Sequence, residues 1–218
     1  MMLKKRILLA VTGASGAPIA VRLIETLLNQ PLVDPSFIFS ENARLTFKLE
    51  ADIDFGQTQK RLETVFNQNF NIEQDCHIYD NQDMAAKVSS GSYLTGGMII
   101  APCSMSTLAA IANGITMNLI QRVASVMLKE KRPLLLVPRE SPLSPIHLKN
   151  MLELSRIGVH IVPATLAFYT KPRNIQDMSD FVCARVLDLL GIPHELSKRW
   201  NGELHEHEGH TRIHRYME

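Results

Sequence analysis

Cysteine is scarce in this sequence, and Cys76, Cys103 and Cys183 are widely spaced with no C-x-x-C pair among them. So odd and scattered a set argues against a disulfide framework or a cysteine zinc site, and it fits a reducing, cytoplasmic setting. Net charge is also nearly absent: 23 Lys and Arg stand against 22 Asp and Glu, a formal +1. Such a balance gives no global attraction to nucleic acid or to an anionic membrane. No apolar run reaches the roughly 18 residues of a membrane-spanning helix. The opening "MMLKKRILLAV" has the start of a signal peptide, but its apolar stretch ends at Thr12-Gly13, short of the roughly 7–15 residues an h-region takes. No D-D-x-x-D cluster, Walker loop or G-x-G-x-x-G fingerprint occurs either.

What is present is an ordinary globular composition, 45% hydrophobic and 21% charged over 218 residues, a size that suits one domain. Short apolar runs recur at Ile7–Val11, Phe37–Phe39, Gly97–Ala101, Leu134–Val137 and Val159–Val162. Helix-period stretches lie between them, near 17–29, 42–50, 58–66, 104–112, 118–130, 145–157 and 175–190. The alternation predicts a doubly wound α/β fold with a mainly parallel sheet, whose ligands collect beyond the carboxyl ends of the strands. A domain over 1–195 is expected, followed by a tail or arm over 196–218. The tail carries His205, His207, His210 and His214. A solvated tail is preferred to a metal cluster, because no strand or helix there would fix a coordination geometry.

The first strand runs into "VTGASGAPIA". Gly13 and Gly16 permit close backbone approach, and a helix beginning near Pro18 would aim N–H groups at an anion. So short a turn suits one phosphate, hence a mononucleotide; a tight turn without a ligand is the alternative. A second strand end, Pro102-Cys103-Ser104-Met105-Ser106-Thr107, offers hydroxyls and amides at another helix start. Cys103 reads there as a buried packing residue rather than a nucleophile, since no base is near it. The loop Ser89-Ser90-Gly91-Ser92-Tyr93 adds hydroxyls and a flexible glycine. Arg122 and Lys129, seven positions apart, share a helix face. Arg139-Glu140 follows an apolar strand directly and so faces the ligand crevice.

The segments "VTGASGAPIAVRL", "SSGSY", "APCSMSTLAAIANGI", "VMLKEKRPLLLVPRESPLSPIHLKNMLELSRIGVHIVPATLAFYTKPRNI" and "ARVLDLLGI" together resemble the UbiX/Pad flavin prenyltransferases, over about residues 5–201. The resemblance implies a Rossmann-like flavoprotein that joins a dimethylallyl group from dimethylallyl monophosphate to N5 and C6 of reduced FMN. The product would serve a separate UbiD-type decarboxylase, usually in ubiquinone biosynthesis. It implies a homo-oligomer, often a dodecamer, with active sites at subunit contacts. Carried over by position, the FMN contacts fall on Gly13, Ala14, Ser15, Ser40, Ser104, Met105, Ser106, Thr107 and Arg139. Prenyl-phosphate contacts fall on Ser90, Gly91, Arg122, Lys129, Glu140, Tyr169 and Arg185. Glu50 matches a glutamate near the flavin and Trp200 an aromatic near the active site. The chain departs from many relatives at Ser106, where they have Lys, and at Thr116-Met117, where they have Ser-Asp or Ala-Asp.

The implied chemistry needs charge stabilised on a departing phosphate. Arg122, Lys129 and Arg185, with Tyr169 and the Ser90 loop, form the expected clamp, and no metal is expected. Tyr93, Phe168 or Trp200 would shield an allyl cation. Ser15 and Glu140, with Glu50 besides, are the candidates for moving protons, so Ser15, Glu50, Glu140, Tyr169 and Arg185 form the catalytic expectation. Two rivals remain in view. An FMN-dependent decarboxylase of the phosphopantothenoylcysteine type would want an early catalytic His and a "PASANT"-like motif; here the segment reads "PCSMST" and the first His is His77. A non-enzymatic FMN-binding subunit would not need a second phosphate clamp.

Overall fold

Along β1 (Lys5–Val11), Ile7, Leu9 and Val11 face one side of the sheet while Leu8 and Ala10 face the other. This is the two-residue alternation of a pleated strand, with both faces buried, as parallel strands under helices require. The structure is a computed structural model, and it describes residues 4–70, 72, 76–197 and 199. Five more strands follow: β2 (Val33–Phe39), β3 (His77–Tyr79), β4 (Gly97–Cys103), β5 (Leu134–Pro138) and β6 (His160–Ile161). All neighbours pair in parallel in the order β3-β2-β1-β4-β5-β6. The winding reverses between β1 and β4, so their carboxyl ends open the crevice where such folds bind ligands.

One face of the sheet packs α1 (Ala17–Leu28), α2 (Glu41–Glu50), α3 (Gln59–Asn69) and α7 (Ile175–Leu189) over a core rich in phenylalanine, with Phe37, Phe39, Phe47, Phe55 and Phe66. The other carries α4 (Met105–Ala112), α5 (Leu119–Lys129) and α6 (Pro145–Arg156). Side chains of Ser40, Thr58, Ser104, Asn118, Ser144 and Asn174 each accept a first-turn backbone N–H. Those caps explain why six of the helices begin where they do.

The expected single α/β domain is observed, with three adjustments. The sheet gains β3, which is three residues long and pairs only with Ser36–Ile38 of β2. β2 starts at Val33 in spite of Pro35. Pairing with β3 begins at Ser36, so Pro35 has only β1 beside it and its missing N–H is not needed. Ile192 is buried and Leu196 packs against the core, so the packed chain runs past 195. The tail histidines lie outside the described residues. No helix among the described residues is long and apolar enough to cross a membrane.

Candidate functional site

Thr12, just beyond β1 and 2% exposed, ties the two halves of the crevice together. Its hydroxyl donates to the Pro102 carbonyl at 2.9 Å and accepts the Ser104 N–H at 2.7 Å. The loop after β1 and the start of α4 are thereby held in one register. At α4 the Ser104 hydroxyl accepts the Thr107 N–H at 3.3 Å and lies 3.0 Å from the Thr107 hydroxyl and 3.1 Å from that of Ser106. The first-turn N–H groups at Met105 and Ser106 have no acceptor within the helix. Together with three hydroxyls they form a donor set suited to a phosphate group. The Met105 side chain is in the core, so only its backbone can serve a ligand.

The start of α1 is arranged differently from the expectation. The Gly16 and Ala17 N–H groups donate to the Glu50 carboxylate at 2.8 and 2.9 Å. The anion on this helix end is therefore a side chain of the protein, and the better phosphate seat is α4. Gly13 is also required for a reason other than ligand approach: a Cβ here would collide with Asn42 on α2. Gly16 adopts φ +136° as the N-cap of α1, a conformation that favours glycine.

Around Glu50 the expected residues do converge. Burial pushes its carboxyl up, but hydrogen bonds from Gly16, Ala17 and the Ser15 side chain, with the charge of Arg139, bring it below the ordinary carboxylate value. Glu50 is thus an ionised acceptor at neutral pH rather than a proton donor. The Arg139 guanidinium donates from Nε to the Ser15 carbonyl at 3.2 Å, crossing from the end of β5 to the loop after β1. Ala14 is buried, and Ser40 caps α2 by accepting the Ala43 N–H at 3.1 Å. The exposed Glu140 carboxylate accepts the Ser141 N–H at 3.1 Å. Cys103 is fully buried and its thiol is pushed well up by desolvation, in keeping with a packing role.

The expected phosphate clamp does not form within one chain. α5 starts at the carboxyl edge, where the Leu119 N–H meets the Asn81 carbonyl just beyond β3, and it descends to Lys129 shortly before β5 begins. Lys129 pairs closely with Glu130 beside Gly91. Arg132 holds this loop through the carbonyls of Gly91 at 2.6 Å and Tyr93 at 2.8 Å. Ser90, Gly91 and Lys129 therefore sit at the amino edge of the sheet, opposite Ser15 and Arg139. Arg122 lies between, donating to the Ser89 carbonyl at 3.1 Å. The Tyr93 ring lies under the Arg6 and Lys87 cations.

α7 also descends: the carbonyl of Leu190, just past its end, accepts from Lys5 at 2.5 Å, where β1 begins. Arg185 is near that lower end and donates to Asp188 at 3.1 Å. The ring of the exposed Tyr169 meets Phe181 of α7 edge-on, with centroids 6.1 Å apart. Trp200 lies outside the described residues. The helix directions account for the separation. Lys129 comes late in a helix that returns toward the start of β5, a signal legible from its position, and Arg185 comes late in α7, whose end reaches the start of β1. Thr12 and Arg132 were not singled out for their tethering contacts, which join residues distant in sequence; the pairing of Arg185 with Asp188 was legible, since the two stand three apart on one helix.

A family model described as flavoprotein matches residues 1–187. The flavin prenyltransferase UbiX of Pseudomonas aeruginosa is 42% identical over 202 residues, 92% of this chain and 96% of that protein. The Methanocaldococcus jannaschii UbiX is 43% identical over 195 residues, 89% and 98% of the two chains. The chain belongs to the UbiX flavin prenyltransferases. A UbiX crystal structure in complex with FMN and dimethylallyl pyrophosphate superposes with a TM-score of 0.80 at 41% identity, covering 92% of this chain and all of that one. A dodecameric FMN-dependent UbiX-like decarboxylase from Escherichia coli O157:H7 gives 0.79 at 42%, covering 90% and 100%. A phosphopantothenoylcysteine-type decarboxylase, at 18% identity and 0.53, shares the fold alone.

Proposed function

We propose that the protein transfers the dimethylallyl group of dimethylallyl monophosphate to N5 and C6 of reduced FMN, without a metal, yielding the flavin used by a UbiD-type decarboxylase. The observation that carries this reading is the layout of the crevice between β1 and β4. One end offers the α4 donor set, and the other an ionised Glu50 held with Ser15 and Arg139. Those groups suit an FMN phosphate at α4, with the ring system lying toward Ser15 and Arg139. When bound, reduced FMN supplies the nucleophilic N5 and C6. Ser104, Ser106 and Thr107 hold the phosphate, and Arg139 locks the loop after β1. The Glu50 carboxylate favours positive charge developing nearby, while Ser15 and Glu140 are the candidates for moving a proton.

The cationic groups at the far edge serve a different copy. Lys129 and the Ser90–Gly91 loop, and separately Arg185, reach a crevice where subunits meet, as a homo-oligomer of the dodecameric kind would arrange, and Arg122 and Tyr169 complete that clamp. Apolar side chains left exposed, Ile146 and Leu152 on α6, Phe168, and Ile175 on α7, supply surface for such contacts. There the cations stabilise the departing phosphate. The test is anaerobic incubation with reduced FMN and dimethylallyl monophosphate, followed by mass analysis of the flavin. Gain of one C5 unit is expected; unaltered flavin after complete substrate turnover contradicts the reading.

A further inference from the structure

Asp188, on the last turn of α7, gathers three partners from two segments of chain. Oδ2 accepts from Arg185 on the same helix at 3.1 Å. Oδ1 is shared by His194 at 3.1 Å and Arg199 at 2.8 Å. The His194 side chain is only 2% exposed, and its Nδ1 accepts the Leu196 N–H at 3.3 Å. With Nδ1 engaged as an acceptor, the ring proton of neutral His194 is on Nε2 and points at Asp188. Burial raises the Asp188 carboxyl, but hydrogen bonds from Arg199 and His194, with the charge of Arg199, outweigh that, and it titrates below its ordinary value.

We propose that Asp188 is a positioning residue for prenyl-phosphate binding, one oxygen aiming Arg185 while the other fastens the segment after α7 through His194 and Arg199. The inference rests on the reading of Arg185 as a phosphate ligand. A guanidinium has five N–H donors in a fixed fork. Asp188 takes the one at a terminal nitrogen and restricts how the rest present themselves, which lowers the ordering cost of gripping a phosphate. Because the same carboxylate holds Arg199, Arg185 and Arg199 are set by one group. The carboxylate is well matched to this task. An amide offers a single oxygen to two sets of donors and turns an NH2 toward one of them.

The experiment is a double-mutant cycle on the full-length oligomer with Asp188→Asn, Arg185→Ala and both together. It reads flavin alkylation against dimethylallyl monophosphate concentration, with FMN affinity measured in parallel. Asp188→Asn is expected to lower kcat/KM for the prenyl substrate about tenfold, the size of one lost charged hydrogen bond, with FMN affinity unchanged. The double variant should be no slower than Arg185→Ala, since Asp188 acts through Arg185. Losses that multiply, or normal kinetics in Asp188→Asn beside a slow Arg185→Ala, overturn the proposal. Normal kinetics in Arg185→Ala itself overturns the clamp reading, and this inference with it. Should Asp188→Asn fail to bind FMN, the exposed Arg199→Ala replaces it. That change should cost about twofold and nothing further in the Arg185→Ala background; an equal loss in both backgrounds contradicts the proposal.

Discussion

The Glu50 carboxylate closes the amino end of α1, accepting the Gly16 N–H at 2.8 Å across 34 residues of sequence. A helix start that would otherwise attract an external anion is thereby supplied with one from α2. The same carboxylate touches Ser15 and feels Arg139, so one residue organises both the loop after β1 and the charge beside the proposed flavin ring.

Glu50→Gln should weaken the fold in a pH-dependent way. The folded carboxyl titrates below its unfolded value of 4.5, so its contribution is present above that value and lost as pH falls through the lower, folded one. Because Glu50 is exposed, the gain is modest, about 0.5–1 kcal/mol at neutral pH. Thermal melts of both proteins should differ at pH 7 and converge in acid; a gap that does not change with pH contradicts the assignment.

Ser15→Ala should keep the fold and most FMN affinity while slowing alkylation. Arg139 grips the Ser15 carbonyl, not its hydroxyl, so the loop keeps its anchor when the hydroxyl goes. The hydroxyl's partner is Glu50, on the reacting side. Titration of FMN beside single-turnover rates separates the two: equal losses in both would make Ser15 chiefly a ligand contact.

Gly13→Ala should destabilise the protein by about 1–3 kcal/mol, the range for overpacking a tight site. The added methyl meets Asn42 on α2, so FMN affinity falls only as far as the loop is displaced. Urea denaturation checks this; an unchanged midpoint would show that α2 yields freely.

The layered core was legible because short continuous apolar runs mark β1, β4 and β5, as strands buried on both faces require, and Pro18 and Ser104 mark helix starts. β3 was not: His77–Tyr79 is too short for a pattern, and it is a strand only because β2 offers it an edge. The strand-end residues Ser15, Ser104–Thr107 and Arg139 stood out as candidates because fold topology puts them beside the crevice. The Glu50–Gly16 contact was hidden, since α2 meets α1 through tertiary packing alone. Seven-residue spacing put Arg122 and Lys129 on one helix face correctly. The helix direction, from the carboxyl edge back toward β5, puts Lys129 at the far edge, which leaves the clamp to subunit contacts, as the resemblance implies.

The most direct measurement is complementation between copies. Arg139→Ala disables the crevice at the carboxyl edge, and Lys129→Ala disables the cation at the amino edge. Each variant alone should alkylate flavin poorly. The two, differently tagged, are co-expressed, and the hybrid oligomers are purified on both tags and assayed anaerobically for flavin carrying a C5 unit. A site that joins one copy's Arg139 to another's Lys129 predicts that hybrids contain intact sites and recover activity. Hybrids no more active than either parent would contradict it.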